Sequence, residues 1–93
     1  MTIPQYCHQI SELLKESNPG WSEGFTWFAN QYELDQNQTL TQIRQRYGGM
    51  GSFSDLVLYK DGEVDLAGMK KLDELRDGLF EQVVAEIIAL RSK

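Results

Sequence analysis

The sequence predicts a mainly α protein: a small bundle of three shorter helices and one long C-terminal helix, with an extended segment or β-hairpin around residues 53–65. Apolar residues recur at three- and four-residue steps over most of the chain, which is the spacing of one helix face. A glycine-rich stretch interrupts this pattern at residues 48–51. The pair Asp61-Gly62 then gives a strong signal for a two-residue hairpin turn.

Length and composition predict one globular domain, residues 1–93. The apolar fraction is 41% and the charged fraction 25%, which are values typical of folded proteins. The chain contains no internal repeat, no low-complexity segment and no linker long enough to divide it. At this length only about 60–65% of the unfolded surface becomes buried, so we expect modest stability.

The first helix is predicted from about Ile3 to Ser17. Thr2 and Gln5 have the spacing of a capping box, and Pro4 is tolerated in a first turn. The helix should stop before Pro19, because the residue that precedes a proline is pushed out of the helical region. Its inner face comprises Ile3, Tyr6, Cys7, Ile10, Leu13 and Leu14.

The second helix is predicted to begin at Asn18 as its cap, with Pro19 in the first position. Its aromatic residues recur at steps of four, three and four, and Trp27 lies off that stripe, which predicts a helix covered on two sides. The stripe consists of Trp21, Phe25, Phe28 and Tyr32.

The third helix is predicted from Thr39 to Tyr47, with Thr39 and Gln42 as a second capping box. Leu40, Ile43 and Tyr47 form its inner face.

The hairpin is predicted to pair Val57–Lys60 with Glu63–Asp65 across the Asp61-Gly62 turn. Asp65 is a good N-cap for the last helix, which spans about 26 residues or roughly 39 Å. Gly78 lies in the middle of this helix, where glycine is unfavourable, so the sequence is compatible with a continuous helix, a kink or a break at this position. The inner face of this helix comprises Leu66, Met69, Leu72, Leu75, Leu79, Val83, Ile87 and Leu90.

The glycine-rich stretch admits a structural and a ligand-binding interpretation. In the first, Gly48 ends the third helix at positive φ, Gly49 reverses the chain, and Met50 and Phe53 fold back into the core. Ser52, Ser54 and Asp55 then hydrogen-bond loop amides. A phosphate loop is disfavoured because the glycines follow a helix, and no Gly-Lys-Ser/Thr is present.

The stretch YGGMGSFSDL resembles the signature of a family of small uncharacterised bacterial proteins that carry YGGMGSF, then asparagine or serine, then Asp-Leu. Ser54 stands where asparagine is the more usual residue. The resemblance implies an N-terminal helical half, a C-terminal helix and no established activity. The matching positions are Tyr47, Gly48, Gly49, Met50, Gly51, Ser52, Phe53, Asp55 and Leu56.

Net charge constrains the partners. The chain carries 14 acidic and 9 basic residues, a balance of −5, and the basic residues are scattered. Phosphate backbones and anionic membranes repel such a surface, so we expect neither nucleic acid nor membrane as a partner, and a basic protein instead. One cysteine and an N-terminus without signal-peptide features predict a reducing, cytoplasmic location.

Few residues are suited to catalysis or metal binding. His8 is the lone histidine, which excludes a multi-histidine metal site, and Cys7 lies on an apolar face. We therefore expect no catalytic set, no metal and no cofactor. Two further clusters have plain explanations, solvation for the acidic one and core packing for the aromatic one. These are Asp73, Glu74 and Asp77, and Trp21, Trp27 and Phe28.

These observations lead to a non-catalytic protein-interaction module, analogous to immunity proteins or antitoxins. Its contact surface would be the motif or the acidic run from Glu16 to Ile43. The alternative is a small-ligand or anion-binding module built on loop 48–52, assisted by Arg44 and Arg46. A weaker third hypothesis is an enzyme that uses Tyr47, Ser52 and Asp55 but lacks an evident general base. The candidate binding residues are Tyr47, Gly48, Gly49, Met50, Gly51, Ser52, Phe53 and Asp55.

Overall fold

The computed structural model of the protein describes residues 1–48 and 52–92. The mainly α prediction is confirmed, with helix in about 75% of these residues. A 3₁₀ turn and a two-stranded hairpin separate the third and fourth α-helices. The elements are α1 (Ile3–Leu14), α2 (Pro19–Leu34), α3 (Gln36–Gln45), the 3₁₀ turn (Phe53–Asp55), β1 (Tyr59–Lys60), β2 (Glu63–Val64) and α4 (Leu66–Arg91).

The start of α1 is as predicted, whereas its end comes earlier. The Thr2 amide donates to Gln5 Oε1 at 2.9 Å, and the Gln5 amide donates to Thr2 Oγ1 at 3.3 Å, which completes the capping box. The regular helix ends at Leu14 and not at Ser17. A last bond, from the Asn18 amide to the Leu14 carbonyl at 2.8 Å, closes the turn that follows.

The predicted start of α3 at Thr39 is wrong, because Asp35 is an earlier and stronger cap. The Asp35 carboxylate accepts a hydrogen bond from the Gln38 amide at 3.1 Å. Thr39 lies inside the helix, and its hydroxyl donates to the Asp35 carbonyl at 2.7 Å. The helix also ends two residues before Tyr47, at Gln45.

The predicted role of Gly48 as a positive-φ cap is also wrong. Arg46 caps α3 in the right-handed region, at φ −70° and ψ −15°. Among the described residues positive φ occurs at Asp61 (54°) and Gly62 (82°), in the hairpin turn. A Cβ added to Gly48 would meet no atom of the described residues within 4 Å. The predicted roles of Gly49, Met50 and Gly51 lie outside the described residues.

The hairpin and α4 follow the prediction closely. Tyr59 pairs with Val64 and Lys60 with Glu63 in antiparallel register. Each strand is therefore two residues long, which is shorter than predicted. The Asp65 carboxylate caps α4 by accepting from the Gly68 amide at 2.9 Å.

The helix α4 continues without a break through Gly78. A Cβ at this position would lie 2.5 Å from Tyr6 Oη, so glycine is needed here for the close approach of α1 to α4. Gly78 therefore marks a close contact between two helices and not a break in α4.

The core forms where α1 and α3 pack against α2 and α4. Phe53 is fully buried in it, as predicted. Two expectations fail: Trp27 is 49% exposed, so α2 is not covered on that side, and Leu66 is 78% exposed because it precedes the part of α4 that meets the bundle. The buried apolar residues are Ile3, Cys7, Ile10, Leu14, Phe25, Phe28, Ala29, Leu40, Ile43, Phe53, Leu58, Leu72, Leu75, Leu79 and Val83.

Candidate functional site

Two aromatic residues of the YGGMGSFSDL motif anchor it to the core. The Phe53 ring lies 4.6 Å from the Phe25 ring and 5.3 Å from the Tyr47 ring, centroid to centroid. The Tyr47 hydroxyl donates to the main-chain carbonyl of Arg76 at 2.8 Å. Burial raises the pKa of Tyr47 well above its usual range, so the phenol stays protonated. These two residues therefore hold the motif in place.

Arg76 organises the chain that follows the motif, and sequence reasoning did not single it out. The residue is 8% exposed, and Nη1 shares its two N–H hydrogens among the main-chain carbonyls of Phe53 at 2.9 Å, Ser54 at 3.2 Å and Leu56 at 3.2 Å. The other terminal nitrogen forms an ion pair with Asp73. One guanidinium thus binds two carbonyls of the 3₁₀ turn and that of Leu56, the residue after it.

A signal for this role was present in the sequence. Arg76 falls between Leu72 and Leu79 at steps of four and three, so it belongs to the inner stripe of α4. A charged side chain is buried only when its polar atoms have hydrogen-bond or ionic partners. For Arg76 the buried partners are main-chain carbonyls.

The base of the glycine loop is closed by main-chain and side-chain hydrogen bonds. The Phe53 amide donates to the Arg46 carbonyl at 2.8 Å, and the Ser54 hydroxyl donates to the Tyr47 carbonyl at 2.8 Å. Within the described residues Ser52 Oγ is a buried atom with no hydrogen-bond partner. Asp55 is exposed, and its amide donates to the Ser52 carbonyl at 3.0 Å. The two ends of the loop are therefore joined at its base.

An acidic pocket lies beside the motif. This depression of about 400 Å³ is formed by Tyr47, Ser54, Asp77, Phe80 and Glu81. The rings of Tyr47 and Phe80 are 5.0 Å apart, and Phe80 is 38% exposed. Asp77 and Glu81 are exposed and one helical turn apart on α4. Burial is the main cause of the raised pKa of Tyr47, and the negative charge of Asp77 is the smallest contribution.

A second depression, the aromatic groove, runs along α2 and has a volume of about 420 Å³. The expectation that its aromatic cluster belongs to the core holds for Phe28, which is 4% exposed, but not for Trp27. The Arg46 guanidinium lies 5.7 Å from the Phe28 ring centroid. The groove is lined by Gly20, Trp21, Gly24, Phe25, Trp27, Phe28 and Arg46.

The two arginines proposed to assist the glycine loop line different depressions. Arg46 borders the aromatic groove, whereas Arg44 borders a separate depression together with Arg91.

Other candidates for chemistry are accounted for within the described residues. Burial raises the pKa of the Cys7 thiol to about 12, so it is a poor nucleophile. No group of three or more histidine, cysteine, aspartate or glutamate side chains in residues 1–48 and 52–92 is placed to hold a metal ion. None of the helices in these ranges has the length and apolarity needed to cross a bilayer.

Comparison with protein families matches residues 14–67 to a family described as a domain of unknown function (DUF6966). The chain belongs to this family. The matched range begins at the end of α1, includes α2, α3 and the hairpin, and ends just inside α4. Residues 47–56, the YGGMGSFSDL stretch, lie within it, and the expected membership of an uncharacterised family is confirmed. Comparison with curated proteins and with solved structures gives no match.

Proposed function

We propose that this chain is a non-catalytic protein-interaction module that binds a basic segment of a partner protein at the acidic pocket. The observation that supports the proposal most directly is the pairing of two exposed carboxylates, Asp77 and Glu81, with the rings of Tyr47 and Phe80 around one depression. This combination suits a lysine or arginine side chain.

The chemistry of such recognition has two parts. A cation over an aromatic face gains about 0.5–1 kcal/mol at an exposed site. Carboxylates at the rim add ion pairs, each worth about 0.2–1 kcal/mol when solvent reaches them. Because each contribution is small, a useful affinity requires several basic residues along the partner segment. The exposed Glu74 extends the carboxylate row on α4, whereas Asp73 is already paired with Arg76.

The rigidity of the pocket favours binding. Tyr47 is fixed by its hydrogen bond to the Arg76 carbonyl, and Ser54 by its bond to the Tyr47 carbonyl. A wall that is already ordered loses little conformational entropy when a ligand binds. The overall charge of −5 also accelerates encounter with a basic partner through electrostatic steering.

The biological role that we propose for this module is that of an immunity protein or antitoxin. Such proteins neutralise a toxin by direct contact, and a small acidic chain with a rigid contact surface is suited to a basic toxin. The anion-binding alternative on loop 48–52 has less support, because Arg44 and Arg46 border different depressions.

The test is a titration with a synthetic peptide of about 12 residues in which arginine and lysine alternate with glycine. Affinity is measured by calorimetry at about 50 mM and about 300 mM salt, since exposed charge pairs are screened at the higher concentration. The pocket variant combines Asp77→Asn with Glu81→Gln. The matched control combines Glu12→Gln with Glu63→Gln, which removes the same charge from exposed positions on α1 and β2.

We expect the pocket variant to bind about tenfold more weakly and the control to stay within about threefold of the parent, because only the former loses pocket carboxylates. Equal weakening in both variants would mean that the peptide senses net charge alone. That outcome, or the absence of binding at millimolar peptide, would refute the proposed site.

A further inference from the structure

A third depression, of about 350 Å³, lies between α3 and α4 and has a different chemical character. Its lining combines two cations, two neutral polar side chains and an apolar floor. The residues are Arg44, Arg91, Asn37, Thr41, Ile87 and Leu90. We call it the arginine depression.

The two arginines of this depression lack acidic partners. In residues 1–48 and 52–92 the sole ion pair joins Arg76 to Asp73, so neither Arg44 nor Arg91 is paired with a carboxylate. Two like charges that border one depression repel each other, and a bound anion would relieve that repulsion.

Each arginine also lies in the last turn of its helix, Arg44 in α3 and Arg91 in α4. A cation there complements the partial negative charge at a helix C-terminus. That effect accounts for each arginine separately. It does not account for their sharing one depression with Asn37 and Thr41.

We propose that the arginine depression binds a small phosphate monoester that carries an apolar group. Guanidinium groups present a planar set of donors that matches phosphate oxygens two at a time, which favours phosphate over a spherical anion. The Asn37 side chain supplies further amide donors. The half-buried side chains of Ile87 and Leu90 provide the apolar contact for the rest of the ligand.

This site is independent of the acidic pocket and of the glycine loop. It shares no lining residue with the acidic pocket, and its ligand has the opposite charge. Either site can therefore fail its test without affecting the other.

The experiment titrates phenyl phosphate into the full chain at fixed ionic strength and follows binding by calorimetry. Inorganic phosphate tests the contribution of the apolar group, and benzoate tests whether a carboxylate is enough. The variants are Arg44→Gln and Arg91→Gln. The matched control is Arg46→Gln, which removes an exposed arginine next to the end of α3 that borders the aromatic groove instead.

We expect phenyl phosphate to bind more tightly than either probe, each depression variant to lose about tenfold in affinity, and the control to stay within about twofold. Circular dichroism melts without ligand check that the variants remain folded. We expect that they do, because all three arginines are exposed and surface substitutions change stability little. Three results would overturn the proposal: no binding of phenyl phosphate at about 10 mM, benzoate binding as tightly, or an equal loss in Arg46→Gln.

Discussion

Replacing Arg76 with alanine is the sharpest perturbation of the motif, because one side chain holds three main-chain carbonyls. The bond to the Phe53 carbonyl, at 2.9 Å, is buried, whereas those to Ser54 and Leu56, both 3.2 Å, are partly buried. A hydrogen bond to a charged group contributes about 1.5–3 kcal/mol when its loss leaves a buried group unsatisfied. Water can reach the two partly buried carbonyls, so the loss of their hydrogen bonds to Arg76 costs less free energy.

We expect Arg76→Ala to lower the free energy of unfolding by about 3 kcal/mol, out of a total of roughly 5–15 kcal/mol for a small domain. For a chain of this size that corresponds to a fall in Tm of roughly 12–24 °C. Arg76→Lys should lose about half as much, because an ammonium keeps the charge but lacks the planar fork that spans several acceptors.

Urea denaturation followed by tryptophan fluorescence measures both the stability and the state of the motif. The Trp21 ring lies 5.6 Å from the Phe53 ring, so release of the 3₁₀ turn should alter its emission before global unfolding. Lys70→Ala, at an exposed position on α4, is the control and should change stability by less than about 0.5 kcal/mol. If Arg76→Ala unfolds with the midpoint and native spectrum of the parent, the guanidinium does not hold the motif.

Two further predictions test the packing. Gly78→Ala should destabilise by about 1–2 kcal/mol despite the better helix propensity of alanine, because the new Cβ lies 2.5 Å from Tyr6 Oη and the ring must leave its contact with the core. Gly20→Ala, where nothing lies within 4 Å, should instead be neutral or stabilise by up to about 1 kcal/mol, and equal thermal melts for the two variants would contradict this packing. Burial raises the pKa of the Cys7 thiol from 9.0 to about 12. The buried neutral thiol therefore contributes fully to stability below pH 9, and this contribution is lost as the pH rises towards 12, because the thiol of the unfolded chain ionises first. Between pH 8 and pH 10 the free energy of unfolding of the parent, measured by urea denaturation, should therefore fall by about 1 kcal/mol more than that of Cys7→Ala. If the two proteins show parallel pH profiles, the thiol is not buried.

The sequence alone determined those features that depend on neighbouring residues. The capping box of Thr2 and Gln5, the turn at Asp61-Gly62 and the cap at Asp65 all involve groups within three residues of each other, and all three are confirmed. The helical periodicity of α4 predicted a length of about 26 residues, and the helix spans 26. Local rules failed where two were in competition, as when Asp35 capped α3 in place of Thr39.

The tertiary structure alone decided what the motif does locally and where the pockets lie. The Tyr47 hydroxyl bonds a residue 29 positions away, and the Arg76 side chain reaches the Phe53 carbonyl across 23 positions. Periodicity assigns Arg76 to an inner face, but it does not specify which carbonyls that face meets. The acidic pocket likewise joins α4 to the segment around Tyr47, and the close approach of Tyr6 from α1 leaves no room for a side chain at Gly78. These contacts depend on how whole helices pack, since packing satisfies buried polar groups and fills space across elements that are distant in the chain.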